Sequence, residues 1–141
     1  MRNILWCLAA AMVVSGAFWI GRLSADEKPK MRLFEMRTYT ANEGKLDALQ
    51  ARFRDHTVKL FEKHGMTNIG YWVPSEGDRS KDTLIYILAF PDKEARNKAF
   101  KEFSEDPEWK KAQAESEANG KLLKKAPESV FMNPTDYSPM K

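Results

Sequence analysis

The pattern of hydrophobic and polar positions between residues 34 and 40 predicts a β-strand whose two faces differ. Side chains alternate along a strand, so every second residue lies on the same face. Glu35, Arg37 and Tyr39 therefore share one face, and Phe34 lies on the other. A carboxylate, a guanidinium and a phenol on one face of a first strand make that face the first candidate for chemistry.

The next segment changes from a period of two to steps of three and four, which predicts a long amphipathic helix. Asn42 is its expected N-cap and Gly65 its expected stop. The apolar stripe of this helix consists of Leu46, Leu49, Phe53, Leu60, Phe61 and His64. Two strands follow, over residues 68–73 and 83–90, and the polar turn between them predicts a hairpin.

The second half of the chain predicts a repeat of helix and strand. Asp92 is positioned to cap a helix, and Asp106 followed by Pro107 restarts helical structure toward Gly120. A short strand is expected over residues 128–133. The order β-α-β-β-α-β is that of an α+β, ferredoxin-like fold, with an antiparallel sheet and helices on one face.

The sheet face that the helices leave open needs its own explanation. We consider the case in which Glu35, Arg37 and Tyr39 lie on it. The neighbouring strands then add either Gly70 with Trp72, or Tyr71, together with Leu84, Tyr86, Leu88 and Phe90. So much apolar surface is unsuited to a solvated monomer, and two sheets packed face to face would bury it. We therefore expect a homodimer, in which Glu35 and Arg37 are either a structural ion pair or the lining of a pocket.

The N-terminal segment does not belong to this domain. Residues 4–20 carry no charge and follow a basic start, which is typical of a signal peptide or a membrane anchor. We predict a segment 1–25, cleaved after Ala25 or Ala17 or else retained as an anchor, then a charged tether 26–31 and the domain 32–141. Both alternatives export the domain across the cytoplasmic membrane, to a periplasmic or extracellular location or to an anchored position outside.

Composition narrows the classes of function. Without residues 1–25 the chain has 116 residues, enough for one domain, and the single cysteine, Cys7, lies outside it. The net charge of +3 falls to about +1 because Arg2 and Arg22 are in the N-terminal segment. This balance does not favour nucleic acid as a partner.

The two histidines are the remaining candidates for catalysis or metal binding. His56 and His64 are eight positions apart on one helix, roughly 12 Å along its axis, so they cannot hold one metal ion together. We therefore predict no metal site. His64 lies on the apolar stripe and is interpreted as structural. His56 lies at the edge of the stripe, either as a hydrogen-bonded boundary residue or as a haem ligand or general base facing a pocket.

Several short motifs, in order and at their spacing, resemble the NIPSNAP domain family over residues 33–139. They are Glu35-x-Arg37-x-Tyr39, Gly44-Lys45-Leu46, His56, Glu62-x-His64-Gly65, Gly70-x-Trp72, Ala89-Phe90 and Asp106-Pro107-Glu108-Trp109. The resemblance implies the dimeric α/β barrel superfamily and no agreed reaction. Tyr86 is a departure, since similar sequences often carry a histidine in the third strand, so histidine chemistry from that strand is not expected here.

The resemblance leaves two classes of function open. The first is a homodimer with a binding or interaction role near a membrane, reached through residues 4–20 if they are retained, with no cofactor. The second is a small monooxygenase-like enzyme, cofactor-free or binding haem or another small ligand, because the superfamily contains such enzymes. The candidate pocket in either case consists of Glu35, Arg37, Tyr39, His56, Trp72 and Tyr86.

Overall fold

The structure, a computed structural model, describes residues 32–141, which form a four-stranded antiparallel sheet with helices on one face. The predicted segments 1–25 and 26–31 lie outside the described residues. The strands are β1 (Leu33–Thr40), β2 (Thr67–Trp72), β3 (Thr83–Phe90) and β4 (Glu128–Met132), in the spatial order β2-β3-β1-β4. The helices are α1 (Leu46–Arg52), α2 (Val58–Lys63), α3 (Lys93–Glu105) and α4 (Pro107–Ser116), with a short 3₁₀ turn at Asp78–Lys81. This is the predicted α+β order.

The first predicted helix is interrupted by a π-helical turn. Residues Phe53–Thr57 have the wider π geometry and join α1 directly to α2. The buried Thr57 hydroxyl donates to the carbonyl oxygen of Arg52 at 3.2 Å, which gives that carbonyl a partner inside the turn. The turn places Phe53 among the aromatic rings of the sheet.

Two of the three predicted N-caps are found in the structure. Asp92 Oδ1 accepts from the Ala95 amide at 2.8 Å, and Asp106 Oδ1 accepts from the Glu108 amide at 2.8 Å. Asn42 does not cap α1, whose N-cap is Lys45. The Asn42 amide instead donates to the carbonyls of Lys121 and Leu123, so it fastens the β1–α1 loop to the segment before β4.

The end of the first helical segment is as predicted, at Gly65. Gly65 has φ +75, a left-handed conformation that side chains disfavour. The following amide, of Met66, donates to the Phe61 carbonyl at 2.9 Å and closes the helix end. The chain can therefore reverse into β2 without losing these hydrogen bonds.

The hypothesis that put Glu35, Arg37 and Tyr39 on the open face is wrong. In the β1–β3 register Arg37 lies opposite Tyr86, and the Phe53 ring of the helical layer contacts both Tyr39 and Tyr86, with centroids 5.6 and 5.2 Å apart. This face is covered by the helices. Its other β3 members, also considered for the open face, are Leu84, Leu88 and Phe90, and they are part of the hydrophobic core.

The open face is apolar nevertheless, through the opposite set of side chains. It carries Phe34, Met36, Ile85, Ile87, Trp72, Val130 and Met132. Trp72 and Val130 are each 50 % exposed. Gly70 lets the Trp72 indole lie against the strand, because a Cβ there would come within 2.6 Å of that ring. The chain thus leaves apolar side chains of the sheet in contact with solvent.

One end of the open face is covered by the chain itself. Residues 133–141, here called the C-terminal tail, fold back from β4, and Phe34 beneath this region is only 5 % exposed. Arg32 Nε donates to the Lys141 carbonyl at 2.8 Å and holds the tail against the start of β1. Within residues 32–141 no helix is long and apolar enough to cross a membrane.

Candidate functional site

The Glu35 carboxylate is the centre of the polar cluster between sheet and helices. Glu35 is fully buried in β1. Arg96 of α3 donates Nε to Oε2 at 2.7 Å and Nη2 to Oε1 at 2.6 Å, and Ser129 of β4 donates its hydroxyl to Oε1 at 2.5 Å. The contact with Arg96 is bidentate, which is the strongest hydrogen-bonding geometry between a guanidinium and a carboxylate. Three elements therefore meet at this side chain.

The electrostatics of Glu35 make it a poor acid or base. Burial raises the pKa of Glu35. The hydrogen bonds from Arg96 and Ser129 and the charge of Arg37 together lower it by more than burial raises it, so the pKa lies below its ordinary value. Arg37 Nη1 is 3.5 Å from Oε1. An ionised carboxylate with these donors already in place is held as a structural ion pair.

Arg37 contributes a positive charge to the same layer. Its guanidinium lies 4.6 Å from the centroid of Phe100 and 5.7 Å from that of Tyr39. Burial lowers the pKa of Arg37, but the neighbouring Tyr39, Tyr86 and Glu35 raise it above its ordinary value. The buried Nε of Arg37 has no partner among the described residues. Arg37 thus stays charged between aromatic faces.

Two tyrosine hydroxyls complete the cluster. The Tyr86 hydroxyl donates to the Tyr39 hydroxyl at 3.0 Å, and Tyr86 has no exposed surface. Burial raises the pKa of Tyr86 well above its ordinary value. Tyr71 stacks on Tyr86 at 5.5 Å, and burial raises its pKa as well. Tyr71 and Tyr86 are therefore protonated at neutral pH, and their rings fill the layer instead of lining an opening.

The other two members of the predicted pocket lie elsewhere. His56 is exposed on the outer side of the helical layer, in a groove between α1 and α4 that Asp55 and Arg52 also line. Trp72 lies on the open face, on the other side of the sheet from Tyr86. The structure brings Glu35, Arg37, Tyr39 and Tyr86 together, but it does not bring His56 or Trp72 to them. The six residues do not form one pocket.

His64 has the hydrogen-bonded environment that was interpreted as structural. Its Nε2 lies 2.7 Å from Asp106 Oδ2, and Lys63 Nζ lies 2.9 Å from the same oxygen. The hydrogen bonds from Lys63 and His64 lower the pKa of Asp106 strongly, although burial opposes them. This cluster joins the end of α2 to the start of α4.

Sequence reasoning missed Arg96 and Ser129, the two residues that determine the state of Glu35. One signal for Arg96 was present. It precedes Phe100 by four positions and Phe103 by seven, so it lies on the apolar stripe of its helix. A charge on such a stripe needs a buried partner. No comparable pattern marks Ser129, which meets Glu35 only because β4 pairs with β1.

Five clefts on the described part of the chain are lined by residues other than Glu35, Arg37, Tyr39 and Tyr86. One of them, of about 240 Å³, lies between the C-terminal tail and the open face. Within residues 32–141 no three His, Cys, Asp or Glu side chains come together as metal ligands. The polar cluster is therefore filled by its own side chains.

Comparison with known families decides where this chain belongs. The family model for NIPSNAP matches residues 34–139, which is most of the chain. The chain belongs to the NIPSNAP family. The resemblance seen in the sequence motifs is thus confirmed. No curated protein matches the sequence.

Solved structures share the NIPSNAP fold. A NIPSNAP family protein of unknown function from Agrobacterium tumefaciens is 21 % identical, with 80 % of this chain and 96 % of that one covered and a TM-score of 0.68. An uncharacterised NIPSNAP domain protein from Burkholderia xenovorans is 23 % identical, with 76 % and 98 % covered and a TM-score of 0.63. SnoaB from Streptomyces nogalater, a cofactor-independent oxygenase, is 14 % identical, with 77 % and 98 % covered and a TM-score of 0.52.

These likenesses establish the fold and its extent. The four-stranded antiparallel sheet with helices resembles that of the dimeric α/β barrel monooxygenases. Nearly the whole Agrobacterium chain is accounted for by the domain that residues 32–141 form here. The described residues have their own hydrophobic core.

Proposed function

We propose that this NIPSNAP protein is a homodimer with a binding role and no catalytic turnover. The observation that carries the proposal is the apolar open face of the sheet. Trp72 and Val130 are half-exposed there, and Met36, Ile85 and Ile87 are partly exposed beside them. A second copy of the same face would remove these side chains from water, which is the main driving force for association.

A binding role is favoured over turnover by the filled layer between helices and sheet. The Glu35 carboxylate already accepts three hydrogen bonds, and the Tyr86 hydroxyl is buried against Tyr39. A general acid or base must reach a substrate through an open cavity. In this layer neither the Glu35 carboxylate nor the Tyr86 hydroxyl reaches such a cavity.

The second candidate is a monooxygenase-like enzyme, cofactor-free or binding haem. It is supported by the fold shared with SnoaB and by one local feature, the unpartnered Nε of Arg37 among the described residues. A guanidinium between aromatic rings would suit a planar, electron-rich substrate. Such an enzyme requires the aromatic layer around Phe53 to open when substrate binds.

The two candidates are separated by one preparation of residues 26–141, which contain all the residues that the structure describes. Static light scattering measures its mass, and absorbance titrations with haem, a flavin and a quinone measure cofactor binding. We expect a dimer and no stoichiometric spectral change. A monomer would remove the proposed role of the open face, and a saturable one-to-one haem or flavin spectrum would favour the enzyme.

We also propose that the domain acts outside the cytoplasmic membrane, because the apolar residues 4–20 precede it. If that segment is retained, it adds a membrane association to the homodimer. Gel mobility of the exported protein against the full-length chain distinguishes cleavage from anchoring. Recovery of the domain in the cytoplasm alone would contradict export.

A further inference from the structure

We propose that the cleft between the C-terminal tail and the open face, here called the tail cleft, binds a small uncharged molecule with one ring and one hydroxyl. This inference deepens the proposed binding role and rests on it for the dimer that would close the site. The tail cleft lies on the opposite side of the sheet from Glu35 and Tyr86.

The C-terminal tail covers the tail cleft and is held in position at both of its ends. At one end the tail continues directly from Met132 of β4. At the other, Arg32 Nε donates to the Lys141 carbonyl at 2.8 Å. Lys141 Nζ donates to the carbonyls of Thr135 and Asp136 at 2.6 and 2.8 Å, which closes the tail on itself. The space beneath is therefore held open by a strap of defined shape.

The floor of the tail cleft is apolar. Phe34, Ile87 and Met132 from three adjacent strands form it, and Pro134 and Met140 of the tail complete the apolar lining. Its volume is about 240 Å³. An apolar cavity of about 150 Å³ accepts benzene, so this space is enough for one ring with a substituent.

The polar lining limits the charge of the ligand. Asn133 and Thr135 provide an amide and a hydroxyl at the tail, while the Ser138 hydroxyl already donates to the Met140 carbonyl at 2.8 Å, and the lining residues include no charged side chain. Burying a charge there without a counter-ion would be costly, whereas a hydroxyl can pair with these groups. A phenol or a cyclic alcohol therefore fits better than an acid or an amine.

A second copy would complete the site. The tail cleft is open to solvent along the sheet, and its floor is continuous with the partly exposed Ile85 and the exposed Val130. A partner sheet on this face would cover the mouth and shield the ligand from water. In the proposed dimer each protomer thus carries one ligand at the interface.

The experiment titrates residues 26–141 with p-cresol and follows the ¹³C-methyl NMR signals. We expect saturable shifts at Met132 and Met140 and none at Met66, which is buried in the core on the other side of the sheet. Toluene, without the hydroxyl, should bind about fivefold more weakly, as one lost hydrogen bond implies. 4-Hydroxybenzoate, which adds a charge, should not bind.

Two matched variants localise the binding. Ile87→Phe fills the tail cleft and should weaken p-cresol binding at least tenfold, whereas Ala114→Phe, on the exposed surface of α4 and away from the open face, should change it less than twofold. Equal effects of the two variants, shifts confined to Met66, or no saturable shift in the wild type would overturn the proposal. Light scattering on the same samples measures the mass and so distinguishes the two proposals. A dimer that does not bind p-cresol refutes only ligand binding in the tail cleft, and a monomer that binds p-cresol refutes only the dimer.

Discussion

At the scale of single residues, Glu35 is the side chain on which most of the polar layer depends. Its carboxylate joins β1 to α3 through Arg96 and to β4 through Ser129. In the ion pair between Glu35 and Arg96 the Glu35 side chain is completely buried, whereas the Arg96 side chain is 20 % exposed. The interaction is therefore only partly screened by solvent.

Glu35→Gln should destabilise the domain although it preserves the shape of the side chain. Removing the charge leaves Arg96 without its counter-ion, and we expect a loss of about 2 to 3 kcal/mol, below the range for completely buried pairs because Arg96 is partly solvated. Urea denaturation measures the difference. Glu102→Gln, which breaks the exposed pair with Lys98, is the matched control and should cost less than about 0.5 kcal/mol.

The same residue predicts a pH dependence of stability. The pKa of Glu35 in the folded domain lies below its usual value of 4.5, so the unfolded chain takes up this proton first on acidification. The stabilisation is complete above about pH 4.5 and is lost as pH falls through the folded pKa. The free energy of unfolding should therefore fall in acid less steeply for Glu35→Gln than for the wild type, and equal slopes would contradict the assignment.

At the scale of elements, the π-helical turn Phe53–Thr57 shapes the helical layer. It brings Phe53 into edge contact with Tyr39 and Tyr71, at 5.6 and 5.8 Å between ring centroids. The Thr57 hydroxyl provides a partner for the Arg52 carbonyl inside the turn. The turn is thus maintained both by ring packing and by a buried hydrogen bond.

Thr57→Val tests the hydrogen bond at nearly constant volume. The Arg52 carbonyl would lose the hydrogen bond from this hydroxyl, and we expect a cost of about 1 kcal/mol, which thermal or urea denaturation can resolve. Thr67→Val is the control because Thr67 is exposed in β2, and its effect should stay within about 0.5 kcal/mol. Equal changes for the two variants would show that the Thr57 hydroxyl has no role in the turn.

The elements were predictable from local patterns, but the faces of the sheet were not. β3 was predicted with its observed bounds, Thr83–Phe90, and the caps at Asp92 and Asp106 were predicted correctly. Alternation shows which residues share a face, yet both faces of β3 are apolar, so it does not show which one the helices cover. Glu35 suggested an exposed face because its partner Arg96 is 61 positions away.

The candidate site was predictable only in part for the same reason. The alternation in β1 correctly grouped Glu35, Arg37 and Tyr39, and the register of β3 adds Tyr86 to them. His56 and Trp72 were included as residues of suitable chemistry, and only the packing of helices on the sheet separates them. The C-terminal tail, which covers Phe34, has no periodic pattern of hydrophobic residues, so the sequence does not predict its position.

At the scale of the whole molecule, the two faces of the sheet differ in burial and composition. The helix-covered face is filled with aromatic rings and a satisfied ion pair. The open face is half-exposed and apolar, and the C-terminal tail covers only one end of it. We propose that two copies of the chain associate through the part of the open face that the C-terminal tail leaves uncovered.

The most direct test compares self-association of two charge variants by equilibrium sedimentation. Val130→Glu puts a carboxylate on the open face, where a partner sheet would have to bury it, and Ala114→Glu puts the same carboxylate on the exposed surface of α4. We predict that the wild type is a dimer, that Ala114→Glu weakens self-association little, and that Val130→Glu weakens it about 100-fold or more with an unchanged circular dichroism spectrum. A wild-type monomer at micromolar concentration, or a Val130→Glu dimer as tight as the wild type, would contradict the account.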